Sequence, residues 1–146
     1  MRLTVRTNLA MRTLMFCAVN PGRTVTKSEI AAGCNASAAH LGVVINQLAH
    51  AGFVRTIRGR NGGICLTSEP DQIRVGDIFR EFEAATPFAE CFAGEANECP
   101  LAFACKLRGA LCRALDAFYA ELDRITLADL TADNPDLTRL LALEPA

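Results

Sequence analysis

The stretch from Cys91 to Cys105, CFAGEANECPLAFAC, constrains this chain more than any other. It carries three cysteines in fifteen residues, with seven residues between the first pair and five between the second. Gly94, Asn97 and Pro100 discourage regular structure, and no apolar periodicity resumes before Ala102. An irregular loop this long inside a small chain is as a rule functional or disordered. Cysteines gathered on it point to a metal, a cluster or a redox switch.

The rest of the chain must fold around that loop. A length of 146 residues supports one compact core with an extended arm, and a hydrophobic content of 51% excludes a disordered protein. No apolar run approaches the roughly 20 residues that span a bilayer. The N-terminus, MRLTVRTNLAMRTLMFC, spaces its arginines on a helical period and shows no cleavage pattern of a signal peptide. A cytoplasmic protein is expected. There, seven cysteines favour thiolate ligation or redox chemistry over disulfides, and the odd count opposes a fully paired framework.

Charge divides the chain. Residues 1–68 hold eight Lys or Arg against one acid, a balance of +7, whereas residues 69–146 hold seven against fifteen, a balance of −8. A basic half joined to an acidic half suggests a polyanionic partner for the first half only.

Motifs in the basic half agree. Thr7 or Asn8 can cap a first helix to about Asn20, with Met11, Leu14, Met15 and Ala18 on one face. Thr26-Lys27-Ser28-Glu29 has the capping-box spacing and opens a short second helix. A turn at Gly33-Cys34-Asn35 leads to Ser37, which can cap a third helix to Ala51 with Leu41, Val44, Ile45 and Leu48 as its buried stripe. Two helices joined this way make a helix-turn-helix, whose second helix is the reader. Thr26 and Lys27 at the first of these helices, and Ser37, His40, Asn46 and Gln47 on the second, are the candidate DNA contacts. Asn and Gln suit adenine edges because each can bond them bidentately.

Phe53–Ile57 and Ile64–Leu66 read as strands around the tip Arg58-Gly-Arg-Asn-Gly-Gly63. A basic hairpin directly after a helix-turn-helix is a wing. Arg58, Arg60 and Asn61 are its candidate contacts to phosphates or the minor groove. The glycines match neither a dinucleotide fingerprint nor a P-loop. An amphipathic helix follows over about 73–83. From Cys105 a long helix runs to about Asp123, with Leu107, Leu111, Leu115, Phe118 and Leu122 at intervals of four, four, three and four. That near-heptad seam suggests a partner helix, hence a homodimer. Thr126 can cap a short helix, and the tail to Leu143 is weakly helical. The fold expected is mainly α with a small β-hairpin wing. A winged helix-turn-helix occupies residues 1–84, a cluster-binding loop 85–104, and a dimerisation helix with its tail 105–146.

Three thiolates suit zinc, copper(I) or an iron–sulfur cluster. Structural zinc prefers four ligands and short knuckles, so these gaps are long for it and can wrap a larger object. Three cysteines leave one corner of a [4Fe–4S] cube to a weaker ligand, which suits a sensor. Of the other cysteines, Cys17 and Cys65 read as small buried hydrophobes. Cys34 sits in the helix-turn-helix turn, where exposure is expected, and Cys112 repeats the helix seam. A zinc protein and a thiol–disulfide sensor are the competing readings. No Ser-His-Asp, HExxH or dinucleotide pattern supports an enzyme.

Taken together, the N-terminal MRLTVRTNLAMRTLMF, the wing RGRNGG, and Cys91, Cys99-Pro-Leu and Cys105-Lys-Leu resemble the winged-helix iron–sulfur repressors of the IscR, NsrR and RirA family. HLGVVINQL, VGDIFREFE and ELDRITLADL resemble its nitric-oxide-sensing branch most. The resemblance covers nearly the whole chain. It implies a homodimer with crossing long helices and a cluster on Cys91, Cys99 and Cys105, [4Fe–4S] in preference to [2Fe–2S]. It also implies binding to a palindromic double-stranded operator, released when nitric oxide attacks the cluster. One departure stands out. The aspartate that the partner subunit contributes in the nitric-oxide branch is matched by Asn8, a neutral and weaker ligand; water, a small thiol, Glu90, Glu95 or Glu98 are alternatives for that corner. Asparagine there also fits the iron-responsive branch, so iron sensing is the second expectation.

Overall fold

The computed structural model describes residues 3–144. Met1 and Arg2 of the N-terminal motif, and Pro145 and Ala146 of the tail, lie outside the described residues. Helix α1 (Val5–Val19) is the central element. It buries Leu9, Ala10, Leu14, Phe16 and Cys17, and α3, α4 and α6 all pack on it. Its cap is Thr4, whose Oγ1 accepts the Thr7 amide at 3.2 Å. The helix therefore begins earlier than the sequence suggests. The reason is remote: Glu83 accepts from the Thr4 amide at 2.9 Å and its hydroxyl at 3.1 Å, and from the Thr7 hydroxyl. Thr7 is fully buried inside the helix rather than at its cap.

Helix α2 (Lys27–Gly33) carries the expected capping box. The Thr26 amide donates to Glu29 at 2.7 Å, and the Glu29 amide donates to Thr26 Oγ1 at 3.2 Å. Gly33 is its last residue, and α1 lies so close there that a Cβ would stand 2.5 Å from the Phe16 ring. Helix α3 (Ala38–His50) buries Leu41, Val44, Ile45 and Leu48, as its periodicity requires. Ser37 occupies the cap position, but its hydroxyl makes no capping bond.

Strands β1 (Val54–Ile57) and β2 (Gly63–Leu66) form an antiparallel hairpin, from Val54 opposite Leu66 to Ile57 opposite Gly63. A bridge anchors it to the body, with the Val25 and Ile64 amides exchanging bonds of 2.9 and 2.7 Å. Helix α4 (Val75–Glu83) turns Ile78, Phe79 and Phe82 inward. An irregular loop follows, with single 3-10 turns at Glu90–Phe92 and Gly94–Ala96.

Helix α5 (Lys106–Leu122) buries none of its residues. Leu107 is 64% exposed, and the later seam residues are half-buried. The far end of α5 is clasped to α4: Arg80 bonds both Asp123 oxygens at 2.6 and 2.7 Å and covers the Tyr119 ring at 4.6 Å, while the tilted rings of Phe79 and Phe118 pack with centroids 6.1 Å apart. Helices α6 (Leu127–Thr131) and α7 (Pro135–Leu141) then return to α1. Leu127 and Leu141 enter the core. The buried Asn20 amide holds the tail, donating to Leu141 O at 3.0 Å and accepting the Leu143 amide at 2.8 Å.

Candidate nucleic-acid interface and cysteine loop

The α2–turn–α3 unit presents one exposed surface. Thr26 and Lys27 stand at the start of α2, and Ser37, His40 and Asn46 lie along the outer side of α3; all five are exposed. With its hydroxyl unused as a cap, Ser37 is free to bond elsewhere. Gln47 departs from this row. It is half-buried and its Nε2 donates to the Glu81 carbonyl at 3.1 Å and carboxylate at 3.2 Å, so it faces α4. The sequence reading missed Val43, which is 50% exposed on the outer side of α3. An apolar residue off the buried stripe was the available signal, and such a side chain suits a thymine methyl.

At the wing tip Arg58, Arg60 and Asn61 are all exposed. Gly59 takes a left-handed φ of 110°, and the Gly62 amide closes the turn on Gly59 O at 3.0 Å. The reader helix thus exposes uncommitted polar groups, and the wing tip exposes two arginines. Elsewhere in the helix-turn-helix, Arg12 donates to Cys34 O at 3.1 Å, and Cys34 is buried, 8% exposed. Packing against α1 overturns the exposure that the turn position suggests.

Cys91, Cys99 and Cys105 are free thiols, each half-buried. Local bonds shape their loop: Cys99 N donates to Asn97 Oδ1 at 3.0 Å, and Arg108 Nε donates to Cys91 O at 3.1 Å. Among the described residues no group of three His, Cys, Asp or Glu is assembled to hold a metal ion. Cys91, Cys99 and Cys105 are the candidate ligands on the loop. As a donor set they still fit a soft metal or cluster, being unpaired, accessible and on backbone without regular ladders to break. Asn8 is exposed on the first turns of α1, and Glu90, Glu95 and Glu98 are exposed on the loop.

Glu83 is the link between these parts. Burial raises its carboxyl, but the hydrogen bonds from Thr7 and Thr4 outweigh this and leave it below the ordinary carboxylate value. Helix α4 thus touches the start of α1 through Glu83 and the reader helix through Glu81, and the cysteine loop begins where α4 ends.

The family model described as Rrf2, iron-dependent transcriptional regulator, matches residues 3–133. The chain belongs to the Rrf2 family. Among Rrf2-like relatives, the HTH-type transcriptional regulator NsrR of Geobacillus kaustophilus is 43% identical over 142 residues, covering 97% of both chains. Protein aau3 of Rhizobium meliloti is 40% identical over 144 residues, covering 99% of this chain and 94% of its own. Of solved structures, CymR (YrzC), the global cysteine regulator of B. subtilis, superposes with a TM-score of 0.72 at 28% identity, covering 90% of this chain and 97% of its own. T. potens IscR gives 0.71 at 26% identity, covering 91% and 88%. The Rrf2 assignment makes the chain a DNA-binding transcriptional regulator with a winged-helix fold, not an enzyme. No helix among the described residues is long and apolar enough to cross a membrane.

Proposed function

We propose that this regulator is a homodimeric repressor whose grip on operator DNA depends on a [4Fe–4S] cluster held by Cys91, Cys99 and Cys105, and that nitric oxide is its signal. The observation that carries the reading is the position of α4. It is the only α-helix among the described residues between the reader helix and the cysteine loop in sequence, and Gln47 joins it to the reader by two hydrogen bonds. When bound, the cluster supplies an iron corner open to a small reactive molecule.

The chain's own residues do the rest. The three thiolates would hold the cluster and draw the loop together, and Asn8 from the second copy would supply a weak, displaceable further ligand. Glu83 then holds the start of α1 beside the loop's root, and Glu81 transmits the setting of α4 to α3. Ser37, His40, Val43 and Asn46 face base edges in the major groove. Thr26, Lys27, Arg58, Arg60 and Asn61 fix the register on phosphates and the minor groove. Loss of the thiolate contacts frees the loop and α4 with it, a two-state coupling between distinct sites. Gln47 acts through α4 instead of reading a base.

The test is an anaerobic absorption and iron and sulfide assay, with operator binding followed by fluorescence anisotropy during titration with nitric oxide. Prompt bleaching with loss of operator binding is expected. Cys99→Ala is predicted to lose both the cluster and specific binding while keeping its helical circular dichroism; specific operator binding by that variant refutes the coupling. Iron sensing is the second reading, favoured by Asn8, whose amide is a neutral and weak ligand. It predicts that a mild iron chelator alone removes the cluster and operator binding in step.

A further inference from the structure

The entry to α5 is an apolar tip. Leu101 and Phe103 on the loop before it, and Leu107 in its first turn, are all exposed, Phe103 fully. Single exposed apolar side chains are ordinary, but three within seven residues make a patch. Leu101 and Phe103 precede the helix, so a partner laid along the seam of α5 alone leaves them in water.

The second half of α5 carries the complementary feature. A cavity of about 350 Å³ opens there against the end of α4 and the start of the cysteine loop. Leu3, Pro87, Phe88, Phe92, Leu115 and Phe118 give it apolar walls, and Glu83, which holds the start of α1, borders it. Two of these walls, Leu115 and Phe118, are also seam residues, so the cavity and the seam form one continuous surface. Within a single chain the helix keeps the two features apart. Lys106 and Leu115 are about 14 Å apart along the axis, nine residues at about 1.5 Å each.

Charge decides how a second copy lies on that surface. Within α5 the exposed cations Lys106, Arg108 and Arg113 all fall in the first half, and the exposed acids Asp116 and Glu121 in the second. Two antiparallel copies set the basic half of each against the acidic half of the other, whereas parallel copies set like against like. Antiparallel pairing also brings the entry of one α5 beside the end of the other.

We propose that Phe103 of each copy seats in the Leu115–Phe118 cavity of the other, so that the cysteine loop itself is part of the dimer interface. The proposal rests on the dimer of the proposed function and adds its orientation and its anchor. Two-fold symmetry makes the contact twice. A buried aromatic anchor in a pocket is the kind of contact that dominates interface energy. Phe103 stands between Cys99 and Cys105, so seating it fixes that stretch of the loop against the partner's α4 and the start of the partner's α1.

The experiment uses full-length chains purified anaerobically. Heavy-isotope-labelled chains carrying Phe103→p-benzoylphenylalanine are mixed with unlabelled natural chains, allowed to exchange, irradiated and digested. Cross-links from the labelled position 103 to unlabelled peptides that carry Leu115 and Phe118, or Phe88 and Phe92, are expected. Sedimentation equilibrium of Phe103→Ala is expected to show a dimer dissociation constant raised about 10- to 100-fold, with circular dichroism unchanged. Cross-links confined to the labelled chain mean that Phe103 folds back on its own chain, and they overturn the proposal. Cross-links to another face of the partner, or an unchanged dissociation constant for Phe103→Ala, overturn it too and leave the dimer standing. A natural chain that sediments only as a monomer overturns both the proposal and the dimer on which it rests.

Discussion

Asn46 and Gln47 are neighbours of the same chemical type with different work. Asn46 is exposed on the outer side of α3, and Gln47 is held by Glu81. Sequence alone gives both the same adenine-reading potential, because the partner that diverts Gln47 lies 34 residues away. Replacing Asn46 by Ala is predicted to cost roughly 1–3 kcal/mol of discrimination between operator and a single-base variant. Gln47→Ala should leave that discrimination unchanged, which competition binding checks. Cys34 and Cys65 show the same limit in reverse. The turn around Cys34 is polar in composition, yet Arg12 and the flank of α1 cover it. The strand around Cys65 is apolar, yet its sulfur is left beside a surface arginine.

Glu83 makes a titration prediction at the same scale. Its folded value lies below the ordinary 4.5. A depressed carboxylate contributes stability that is fully present above the unfolded value and is lost as pH falls through the folded one. Stability is therefore expected to decline as pH falls below about 4.5. Thr7→Val removes one of the donors that hold the value down. In urea denaturation at a series of pH values, that variant should lose less stability on acidification than the parent, from a lower starting point.

Among the elements, the legible ones are those whose determinants are local. Thr26 and Glu29 announce the start of α2, and Thr126 with Asp129 announces α6 by the same reciprocal bonding. The wing follows from two short apolar runs around a glycine-rich tip. The start of α1 was not legible, since Thr4 becomes the better cap only when Glu83 arrives from the end of α4. The return of α6 and α7 to the core was not legible either. Leu127 and Leu141 look like tail residues until α1 offers them a surface. Gly33 supplies the test of packing between elements. Gly33→Ala places a methyl against the fully enclosed Phe16 ring, so overpacking should outweigh the gain in helix propensity. A loss of about 1–3 kcal/mol in equilibrium unfolding is expected.

On the scale of the whole molecule, composition anticipated the division of labour better than the layout. The basic half does hold the helix-turn-helix and wing, as the charge asymmetry suggests. The three loop cysteines stand out in the sequence as a donor set, whereas the arrangement of thiolates on an irregular loop is set by what they bind, which no residue spacing encodes. Helix α5 carries the largest unmet requirement: 17 residues with an apolar seam and no buried side chain. A second copy laid along that seam is the proposed solution. Leu111→Asp is predicted to shift the sedimentation-equilibrium mass from dimer to monomer, while the monomer's circular dichroism keeps its helical signature.

The clasp at Asp123 has a mechanical corollary. Clasped to α4 at one end by Arg80, and burying no side chain fully along its length, α5 is a lever. Its 17 residues span about 25 Å at 1.5 Å per residue. A tilt of roughly 5° about the clasped end sweeps the opposite tip, where Cys105 sits, through about 2 Å. The gearing runs both ways: a displacement of a few ångströms at the cysteine end reaches α4 as a small rotation, and a small rotation of α4 is enlarged on its way out.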